Sequence, residues 1–421
     1  SSTSRGLGDV YKRQPPMCST CQNMDSDIVE LVAGDSKLFF SSTVQSAGVP
    51  DFVRELFVSD GTASGTQLVM DIFDCPLSSG EITFNYEGVN SLLVLPGSSF
   101  GTAGQDRVVF SAFHCSLTNY VCFGEEPWIS DGTLAGTREM ANIRIGDTPM
   151  NTQDGQGVLI DDVGSQPRSF FQSGDKVYFT ADDNNSGREL WKIDTSRASS
   201  GATLVKDINS GSDDSIDLET VTEFVKMNEN IFFTADNGNN GIELWKTNGF
   251  GLGTTMVKDI NSGFNNSNPT ELTLVDNVLY FTAYDSTTAA TELFQSDGTN
   301  MGTIILNSAI SNPEWLTAVE NTLFFSAHND LTGVNCLWNS DGTSSGTGFV
   351  DITVNPQQII SSDDLIYFTH GNQLLSHDGI TSIVDSGPAI ENLVLLDDVL
   401  FYTHNNYLYY HSSNHGEFIT I

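Results

Sequence analysis

The chain has 421 residues, of which 38% are hydrophobic and 10% aromatic, so it can bury a sizeable core. Its 54 acidic and 17 basic residues give a formal net charge of −37, which excludes nucleic acid and anionic membrane surfaces as partners because both would be repelled. No apolar run is long enough to span a bilayer, which argues against membrane insertion, and no long helical period occurs.

The start of the chain is expected not to belong to the fold. Residues 1–14 resemble a translated sequencing adapter, and we exclude them from fold reasoning. Without them the chain has 14 basic and 53 acidic residues, a net charge of −39. We expect the natural N-terminus to be missing, so a signal peptide cannot be assessed. Residues 15–27 are predicted to form an irregular tail that contains two cysteines.

From residue 28 onward, one pattern of short strands recurs. The best copies join an aromatic strand that ends in Phe-Thr-Ala to a strand with Glu-Leu-Trp or Glu-Leu-Phe, at 178–191, 232–245 and 280–294. Aromatic and β-branched enrichment between regularly spaced turns predicts antiparallel strands. Four strands in each unit of roughly 40 to 50 residues is the size of a propeller blade. The sequence predicts an all-β fold, a single β-propeller of eight four-stranded blades, with seven blades as the alternative.

The second strand of each unit fixes the predicted blade positions. Its equivalent residues, mostly aromatic, are Phe39, Val109, Tyr178, Phe232, Tyr280, Phe324, Tyr367 and Phe401. The predicted blades cover about 28–73, 80–145, 157–209, 217–261, 270–308, 314–353, 356–385 and 389–421. The units shorten along the chain, so the loops are long in the early blades and short in the late ones.

A glycine-rich turn joins strands 3 and 4 in four of the units. It reads Ser-Asp-Gly-Thr-x-x-Gly-Thr at 59–66, 130–137, 296–303 and 340–347. Together with the preceding Glu-Leu-Trp or Glu-Leu-Phe and a following Leu-Val-Lys-Asp-Ile, the repeat resembles the ELWxxDGT repeat family over nearly the whole chain from about residue 30. This resemblance implies a propeller in a secreted or cell-surface protein, largely bacterial, and implies no defined activity.

We interpret this turn as structural rather than catalytic. Asp accepts hydrogen bonds from backbone amides two or three residues on, Gly supplies a positive φ, and Thr can close the hairpin. A catalytic role would require one site in every blade. The residues predicted to form these turns are Asp60, Gly61, Asp131, Gly132, Asp297, Gly298, Asp341 and Gly342.

Two further positions recur in strand 3. The carboxylates Glu55, Glu189, Glu243 and Glu292 are interpreted as hydrogen-bonding residues between blades rather than general acids. The aromatic residues that follow are interpreted as packing between blades; they are Phe57, Trp128, Trp191, Trp245, Phe294 and Trp338.

Functional residues are expected on the face that carries the 2→3 loops and the 4→1 connections. The long loops of blades 1 to 3 supply the candidate ligand-binding residues Asp51, Arg54, Asn119, Tyr120 and Glu125. Acidic stretches on the same face supply candidate Ca²⁺ ligands, namely Asp182, Asp183, Asp213, Asp214 and Asp236. Their spacing matches no known calcium loop, so ordinary Asx-rich turns are the competing interpretation, and no cofactor other than Ca²⁺ is suggested.

Cysteines and histidines add weaker signals. Cys115 and Cys122 flank a short loop and are predicted to form a disulfide, while pairing of Cys18, Cys21 and Cys75 stays open. Cys336 replaces the strand-3 glutamate and is predicted to be a buried free thiol. The late histidines are interpreted as divergent surface residues rather than metal ligands; they are His328, His370, His377, His404 and His411. Asn184 and Asn265 each begin a glycosylation sequon.

These features predict a non-catalytic extracellular or cell-surface module that binds protein or glycan through the loop face, as a monomeric domain of a larger protein. No nucleophile motif, phosphate loop or HExxH sequence is present. The alternative is a secreted glycoside hydrolase or polysaccharide lyase on the same face, which would need two opposed carboxylates or a charged Arg/His/Tyr set. With 14 basic residues outside the adapter, an arginine cluster is expected to be hard to assemble. A quinone-dependent dehydrogenase is a third interpretation, weakened by the position of Trp in the repeat.

Overall fold

A computed structural model describes the chain in segments. The described residues are 28–45, 52–70, 88–100, 105–116, 121–144, 164–196, 201–218, 222–307, 310–329, 333–351, 353–362, 365–388, 390–396, 399–404, 407–412 and 419–420. They divide into two compact units, which are residues 1–221 and 222–421. In the described segments, no helix has the length and apolar character to cross a membrane.

The first unit contains three four-stranded sheets. Sheet 1 consists of β1 (Ile28–Ala33), β2 (Leu38–Gln45), β3 (Phe52–Ser59) and β4 (Gln67–Met70). Sheet 2 consists of β5 (Asn90–Leu95), β6 (Arg107–Ser116), β7 (Val121–Ser130) and β8 (Arg138–Glu139). Sheet 3 consists of β9 (Arg168–Ser173), β10 (Lys176–Asp182), β11 (Arg188–Asp194) and β12 (Ala202–Lys206). Short 3-10 turns occupy Gly97–Phe100 and Leu134–Gly136.

The described residues of the second unit form five four-stranded sheets and one short 3-10 turn at Gly251–Gly253. Sheet 4 consists of β13 (Val225–Met227), β14 (Asn230–Asp236), β15 (Ile242–Thr247) and β16 (Thr255–Lys258). Sheet 5 consists of β17 (Thr270–Val275), β18 (Val278–Asp285), β19 (Ala290–Ser296) and β20 (Ile304–Ile305). Sheet 6 consists of β21 (Ser311–Val319), β22 (Thr322–Asn329), β23 (Val334–Ser340) and β24 (Gly348–Asp351). Sheet 7 consists of β25 (Gln357–Ser362), β26 (Leu365–His370), β27 (Gln373–His377) and β28 (Thr381–Ser386). Sheet 8 consists of β29 (Ile390–Leu396), β30 (Val399–His404), β31 (Tyr407–Ser412) and β32 (Ile419–Thr420).

Every sheet is an antiparallel meander whose strands lie side by side in chain order. Eight such sheets confirm the predicted all-β, β-propeller fold class with eight blades rather than seven. The eight predicted strand-2 residues all lie in the second strand of their sheets. The first strand of each sheet begins inside its predicted blade range, except that β21 begins at Ser311, three residues before the predicted start near residue 314.

Within each unit, the core lies between successive sheets and is built mainly from strands 2 and 3. These strands are central in their sheets and covered on both faces, so β10 is buried at five consecutive positions instead of alternating. Phe39 of sheet 1 and Phe110 of sheet 2 share one core cluster, and Phe232 of sheet 4 and Phe281 of sheet 5 share another. The strand-3 aromatic residues are at most 8% exposed, which confirms their predicted packing role. Cys336 is buried and free, as predicted.

The glycine-rich turns have the same hydrogen bonds in all four copies. In the first, Asp60 Oδ1 accepts from the backbone N–H of Thr62 at 2.9 Å and from its hydroxyl at 2.6 Å. The hydroxyls of Ser59 and Thr66 are 2.7 Å apart across the base of the turn. Equivalent bonds form around Asp131, Asp297 and Asp341. Each aspartate is therefore used inside its own turn, in agreement with a structural role.

In three of the four copies, the first glycine of the turn also contacts the preceding sheet. Its φ lies between 84° and 87° in all four copies, a conformation that suits glycine. In sheet 5, a Cβ at Gly298 would lie 2.9 Å from the ring of Phe232 in sheet 4. Gly132 lies against Phe39 and Gly342 against Tyr280 in the same way. We call this recurring pair of a turn glycine and the strand-2 aromatic residue of the preceding sheet the glycine–aromatic contact.

Sheets 7 and 8 lack the turn motif and use histidine instead. His377 pairs with Ile366, the register position that Ser340 occupies opposite Leu323 in sheet 6. The imidazole packs edge-on against Phe324, the strand-2 aromatic residue of sheet 6, with ring centroids 6.1 Å apart. His411 packs in the same way on Tyr367 of sheet 7, at 5.9 Å. The interpretation of these two histidines as surface residues is therefore wrong, since both are half-buried and burial lowers the pKa of each.

The first strand of most sheets contains a bulge. Its central residue has a φ between 51° and 61°, an uncommon value for residues other than glycine; these residues are Ser91, Ser169, Glu271, Trp315, Gln358 and Asn392. In three cases the bulge lies beside a carboxylate of the preceding blade, and in one of them Glu223, just before β13, accepts the N–H of Leu272 at 2.8 Å. Glu30 accepts the N–H groups of Ser91 and Leu92 at 3.0 and 2.8 Å. Glu271 accepts the N–H of Leu316 at 2.7 Å.

Candidate functional site

The loop face is the end of each sheet where the 2→3 hairpin loop and the chain leaving strand 4 lie together. The structure shows how the two segments are joined in sheet 3. Glu189 of β11 accepts the N–H groups of Ile208 and Asn209 with Oε1, both at 3.0 Å. Its Oε2 accepts the Ser215 hydroxyl at 2.6 Å. One buried carboxylate thus holds both ends of the 4→1 connection, and we call this arrangement the carboxylate clamp.

The carboxylate clamp recurs in sheets 2 and 4. Glu243 accepts the N–H groups of Ile260 and Asn261 at 3.1 and 3.2 Å and the Ser267 hydroxyl at 2.6 Å. Glu126 makes the corresponding bonds, including one of 2.7 Å from Ser165. Burial raises the pKa of Glu126, Glu189 and Glu243 to about 7, although the hydrogen bonds act against this rise.

The clamp sharpens the role expected of the strand-3 glutamates. They bind the segment that leads onward to the next sheet, and Glu55 and Glu292 are buried at the corresponding position. Glu126 was not predicted, because Pro127 replaces the leucine of the usual Glu-Leu-Trp sequence. The Ser partner twenty or more residues away was not predicted either.

Two copies of the loop face share a framework but differ in charge. In sheet 3 the N–H of Arg188 donates to Asp214 Oδ1 at 2.7 Å, and in sheet 4 the N–H of Ile242 donates to Asn266 Oδ1 at 3.0 Å. The carbonyl of Asp213 lies over Gly187 as that of Asn265 lies over Gly241. The backbone contacts are retained while the charged side chains of the first copy become neutral ones in the second.

In the second unit the neutral copy borders a cleft of about 540 Å³. The cleft lies between the 4→1 connection of sheet 4 and residues of the first three strands of sheet 5. Every lining residue carries an amide, a hydroxyl or a phenol; they are Asn261, Asn265, Asn266, Ser267, Asn268, Thr270, Thr282, Tyr284 and Thr291. Tyr284 is 38% exposed and is the aromatic residue of the lining. This cleft is the candidate ligand site, and it lies in sheets 4 and 5 rather than beside blades 1 to 3, where the sequence directed attention.

In the first unit, Glu125 is buried in an ion pair rather than exposed on a loop. Its Oε2 accepts from Arg168 Nη1 at 2.6 Å, and Asn90 and Ser111 donate to the same carboxylate. Only 3% of the Glu125 side chain is exposed. The proposed ligand-binding role of Glu125 remains a prediction, with its carboxylate occupied by internal contacts in this structure.

Three arginines lie in the region of Glu125, although the low number of basic residues predicted no such cluster. Arg188 is 2% exposed and donates to the carbonyl of Gln166 at 2.8 Å, and burial lowers the pKa of its guanidinium to about 10. Arg144 forms an ion pair with Asp182 at 3.1 Å. The guanidinium groups of all three arginines, including that of Arg168, contact other groups of the protein. They therefore form an internal polar network.

The predicted calcium ligands mostly act as turn residues. Asp183 Oδ1 accepts the N–H groups of Asn185 and Ser186 at 3.0 and 2.8 Å, and Asp236 Oδ1 accepts that of Gly238 at 2.8 Å. Across the described residues, no group of three or more His, Cys, Asp or Glu side chains could hold a metal ion. Calcium binding by Asp182, Asp183, Asp213, Asp214 and Asp236 remains a prediction.

Several predicted positions are only partly described. Cys115 and Cys122 lie directly opposite each other in β6 and β7, and their disulfide stays a prediction because only the backbone is described there. Arg54 lies in β3, where its carbonyl accepts the N–H of Val89 at 2.9 Å. Outside the described residues lie Asp51, Asn119, Tyr120, Cys18, Cys21 and Cys75.

Comparisons with known proteins find distant structural similarity and no similarity in sequence families. No protein-family model matches the sequence, and no curated protein sequence matches it. Among solved structures, a puromycin hydrolase S511A mutant complexed with PGG is similar at 11% identity and a TM-score of 0.45, over 89% of this chain and 58% of that one. A puromycin-hydrolyzing peptidase of Mycobacterium tuberculosis is similar at 11% identity and a TM-score of 0.45, over 90% of this chain and 58% of that one.

A third solved structure is itself an isolated propeller. The β-propeller domain of the Trilobed protease from Pyrococcus furiosus is similar at 8% identity and a TM-score of 0.40, over 94% of this chain and 97% of that one. The chain thus spans 58% of the length of the puromycin hydrolase and of the puromycin-hydrolyzing peptidase, and 97% of this domain.

Proposed function

We propose that the chain is a non-catalytic binding module, extracellular or at the cell surface, whose loop face takes a protein or glycan ligand. The observation that carries this proposal is the pair of loop-face copies in sheets 3 and 4. Their backbone framework and carboxylate clamp are the same, whereas the side chains presented outward change from charged to neutral. A constant scaffold with variable loop chemistry is typical of binding sites carried on a rigid fold.

The chemistry of the cleft favours binding over catalysis. Its described lining offers amides and hydroxyls but no carboxylate, imidazole or thiol that could act as general acid, base or nucleophile. A glycoside hydrolase would need two opposed carboxyl groups about 5 to 10 Å apart. Glu243, the carboxylate beside the cleft, accepts three hydrogen bonds within the protein and is fully buried. The hydrolase alternative therefore has less support than the binding module.

The test is a binding screen of the whole chain against a glycan array and a displayed peptide library, each with and without Ca²⁺. We expect a saturable ligand whose affinity falls at least tenfold on substitution of loop-face residues. Phe250→Ala, at an exposed aromatic residue of a 3→4 turn, serves as the matched control and should leave affinity unchanged. Turnover of a bound glycan, or binding that responds to the control variant alone, would contradict the proposal.

A further inference from the structure

We propose that the cleft of sheets 4 and 5 is a binding site for a neutral saccharide, with the ring of Tyr284 as its stacking surface. This inference rests on the proposed function, because it assigns a ligand class to one part of the loop face. Three independent features carry it: the uncharged lining, the polar groups left available, and the position of the tyrosine.

The lining matches a ligand rich in hydroxyl groups. Amides and hydroxyls both donate and accept hydrogen bonds, as sugar hydroxyls do. A charged ligand would meet no counter-charge among the lining residues and would lose its hydration. An apolar ligand would need the aliphatic lining that most small-molecule pockets have. The volume of about 540 Å³ lies in the range of roughly 300–1,000 Å³ that ligand pockets occupy.

Some lining groups are used internally and others are available. The hydroxyls of Thr270 and Thr282 lie 2.8 Å apart and satisfy each other. In contrast, the side chains of Asn268, Tyr284 and Thr291 form no hydrogen bond with any other described residue, while all three line the cleft. These three side chains are the groups expected to contact the ligand.

Tyr284 occupies a position at which the two preceding repeats have an aspartate. It ends the buried part of β18 opposite Thr291, a register position that Asp236 occupies in sheet 4 and Asp182 in sheet 3. A tyrosine presents a flat apolar ring and a polar tip, which suits the C–H face and the hydroxyl rim of a sugar ring. Among these three sheets, the aromatic residue replaces the turn-forming aspartate beside the connection that has Asn265 and Asn266 where the connection of sheet 3 has Asp213 and Asp214.

The wall of the cleft is held in place before any ligand arrives. Glu243 accepts the N–H of Asn261 and the hydroxyl of Ser267, two lining residues, so the carboxylate clamp fixes their spacing. Asp259, the neighbouring charged residue of the connection, receives a hydrogen bond of 2.8 Å from Asn240. A wall ordered in advance reduces the entropy lost on binding.

The experiment measures binding of neutral, sialylated and sulfated glycans to the whole chain, followed by calorimetry of the best hit. The protein should come from a host without N-glycosylation, because Asn265 in the cleft begins a sequon. We expect neutral glycans to bind, Tyr284→Ala to weaken binding at least tenfold, and Tyr284→Phe to retain most of it. Phe250→Ala should bind like the wild type.

The outcomes separate this inference from the proposed function. Binding of acidic glycans alone, or neutral binding that Tyr284→Ala does not weaken, would overturn the saccharide site. Peptide binding that depends on loop-face residues without glycan binding would overturn it and leave the proposed function standing. No ligand in either screen would overturn both. Asn268→Ala and Thr291→Val provide the same test if Tyr284→Ala does not fold.

Discussion

At the scale of single residues, the two glycines of each turn are required for different reasons. The first has a positive φ and, in three of the four copies, meets the aromatic residue of the preceding sheet. The second has an ordinary backbone conformation, but a Cβ there would overlap the aspartate carboxylate of the same turn, as Gly65 shows with Asp60. The aspartate accepts hydrogen bonds only because this second position carries no side chain.

The two effects of the first glycine can be measured separately. Gly61 and Gly298 share a φ of 84°, but no described atom lies within 4 Å of a Cβ at Gly61, whereas one at Gly298 would meet Phe232. We expect Gly61→Ala to cost about 1 kcal/mol through backbone strain, and Gly298→Ala to cost about 1–3 kcal/mol more through overpacking. Urea denaturation, followed for the unit that contains each variant, measures both. Equal costs would show that the glycine–aromatic contact adds nothing.

Glu243 is expected to make stability depend on pH. Burial raises its pKa from 4.5 to about 7, so between these values the folded protein keeps a proton that the unfolded chain has released. The contribution of this group is therefore fully present below about pH 4.5 and is lost as pH rises through 7, by up to about 3 kcal/mol. Glu243→Gln should flatten this fall in the free energy of unfolding between pH 5 and pH 8.

The control is Glu229→Gln, at an exposed position of the same sheet, which should leave the pH profile unchanged. His377 and His411 act in the opposite direction, because burial lowers the pKa of each and acid therefore destabilises the fold. Both variants retain these histidines, so the difference from the wild type isolates Glu243. A profile for Glu243→Gln parallel to that of the wild type would contradict the prediction.

At the scale of elements, the 4→1 connection of sheets 3 and 4 is an ordered part of the blade rather than a free loop. Its two ends bind one carboxylate of strand 3, and its middle carries the residues that differ between sheets. The bulge in the first strand has a similar effect, since it turns backbone N–H groups toward a carboxylate of the preceding sheet.

Removal of the clamp serine should loosen the connection. Ser267→Ala leaves the buried carboxylate of Glu243 with one donor fewer, which we expect to cost about 1–3 kcal/mol. Hydrogen exchange at the N–H groups of Ile260 and Asn261 should become faster at the same time. Ser262→Ala, at an exposed position of the same connection, is the matched control. If both variants exchange alike, the serine is not part of what orders this segment.

Sequence predicted the elements well because their signals are local. The aromatic strands and the Asp-Gly turns each need only a few consecutive residues, such as 296–303, to be recognised. The clamp escaped prediction because its parts, for example Glu243 and Ser267, are far apart in the chain and neither is unusual alone. The bulges escaped because residues as different as Ser91 and Trp315 occupy them.

The candidate site was harder to predict for the same physical reason. Its lining consists of Asn, Ser and Thr, which are ordinary turn residues, and only the fold brings the connection at 261–268 beside Tyr284 and Thr291. The long loops of the early blades drew attention because length is visible in a sequence. The sequence did contain one signal: Asp213 and Asp214 of one repeat are replaced by Asn265 and Asn266 in the next.

At the scale of the whole molecule, the net charge of −37 should make stability depend on ions. Mutual repulsion of carboxylates opposes folding and is weakened by salt, so we expect Tm to rise between 10 and about 500 mM NaCl. A Tm that does not change with NaCl concentration would contradict the repulsion.

Millimolar CaCl₂ at matched ionic strength tests the predicted calcium site. Binding would raise Tm further, and the double variant Asp183→Asn with Asp214→Asn would remove that gain. Equal Tm values in NaCl and in CaCl₂ at matched ionic strength would contradict the calcium site.

The glycine–aromatic contact has a consequence for how such an array can evolve. Its two members belong to different copies of the repeat, the aromatic residue to one and the glycine to the next, as with Phe232 and Gly298. Selection on one member therefore also constrains the adjacent copy. When a copy is duplicated or deleted, the copies that become neighbours have not been selected together. Sheets 7 and 8 show one outcome of such a loss. They lack the turn glycine, and His377 and His411 pack against the strand-2 aromatic rings that the glycine contacts in other sheets. Covariation in related sequences should accordingly be strongest across repeat boundaries rather than within them.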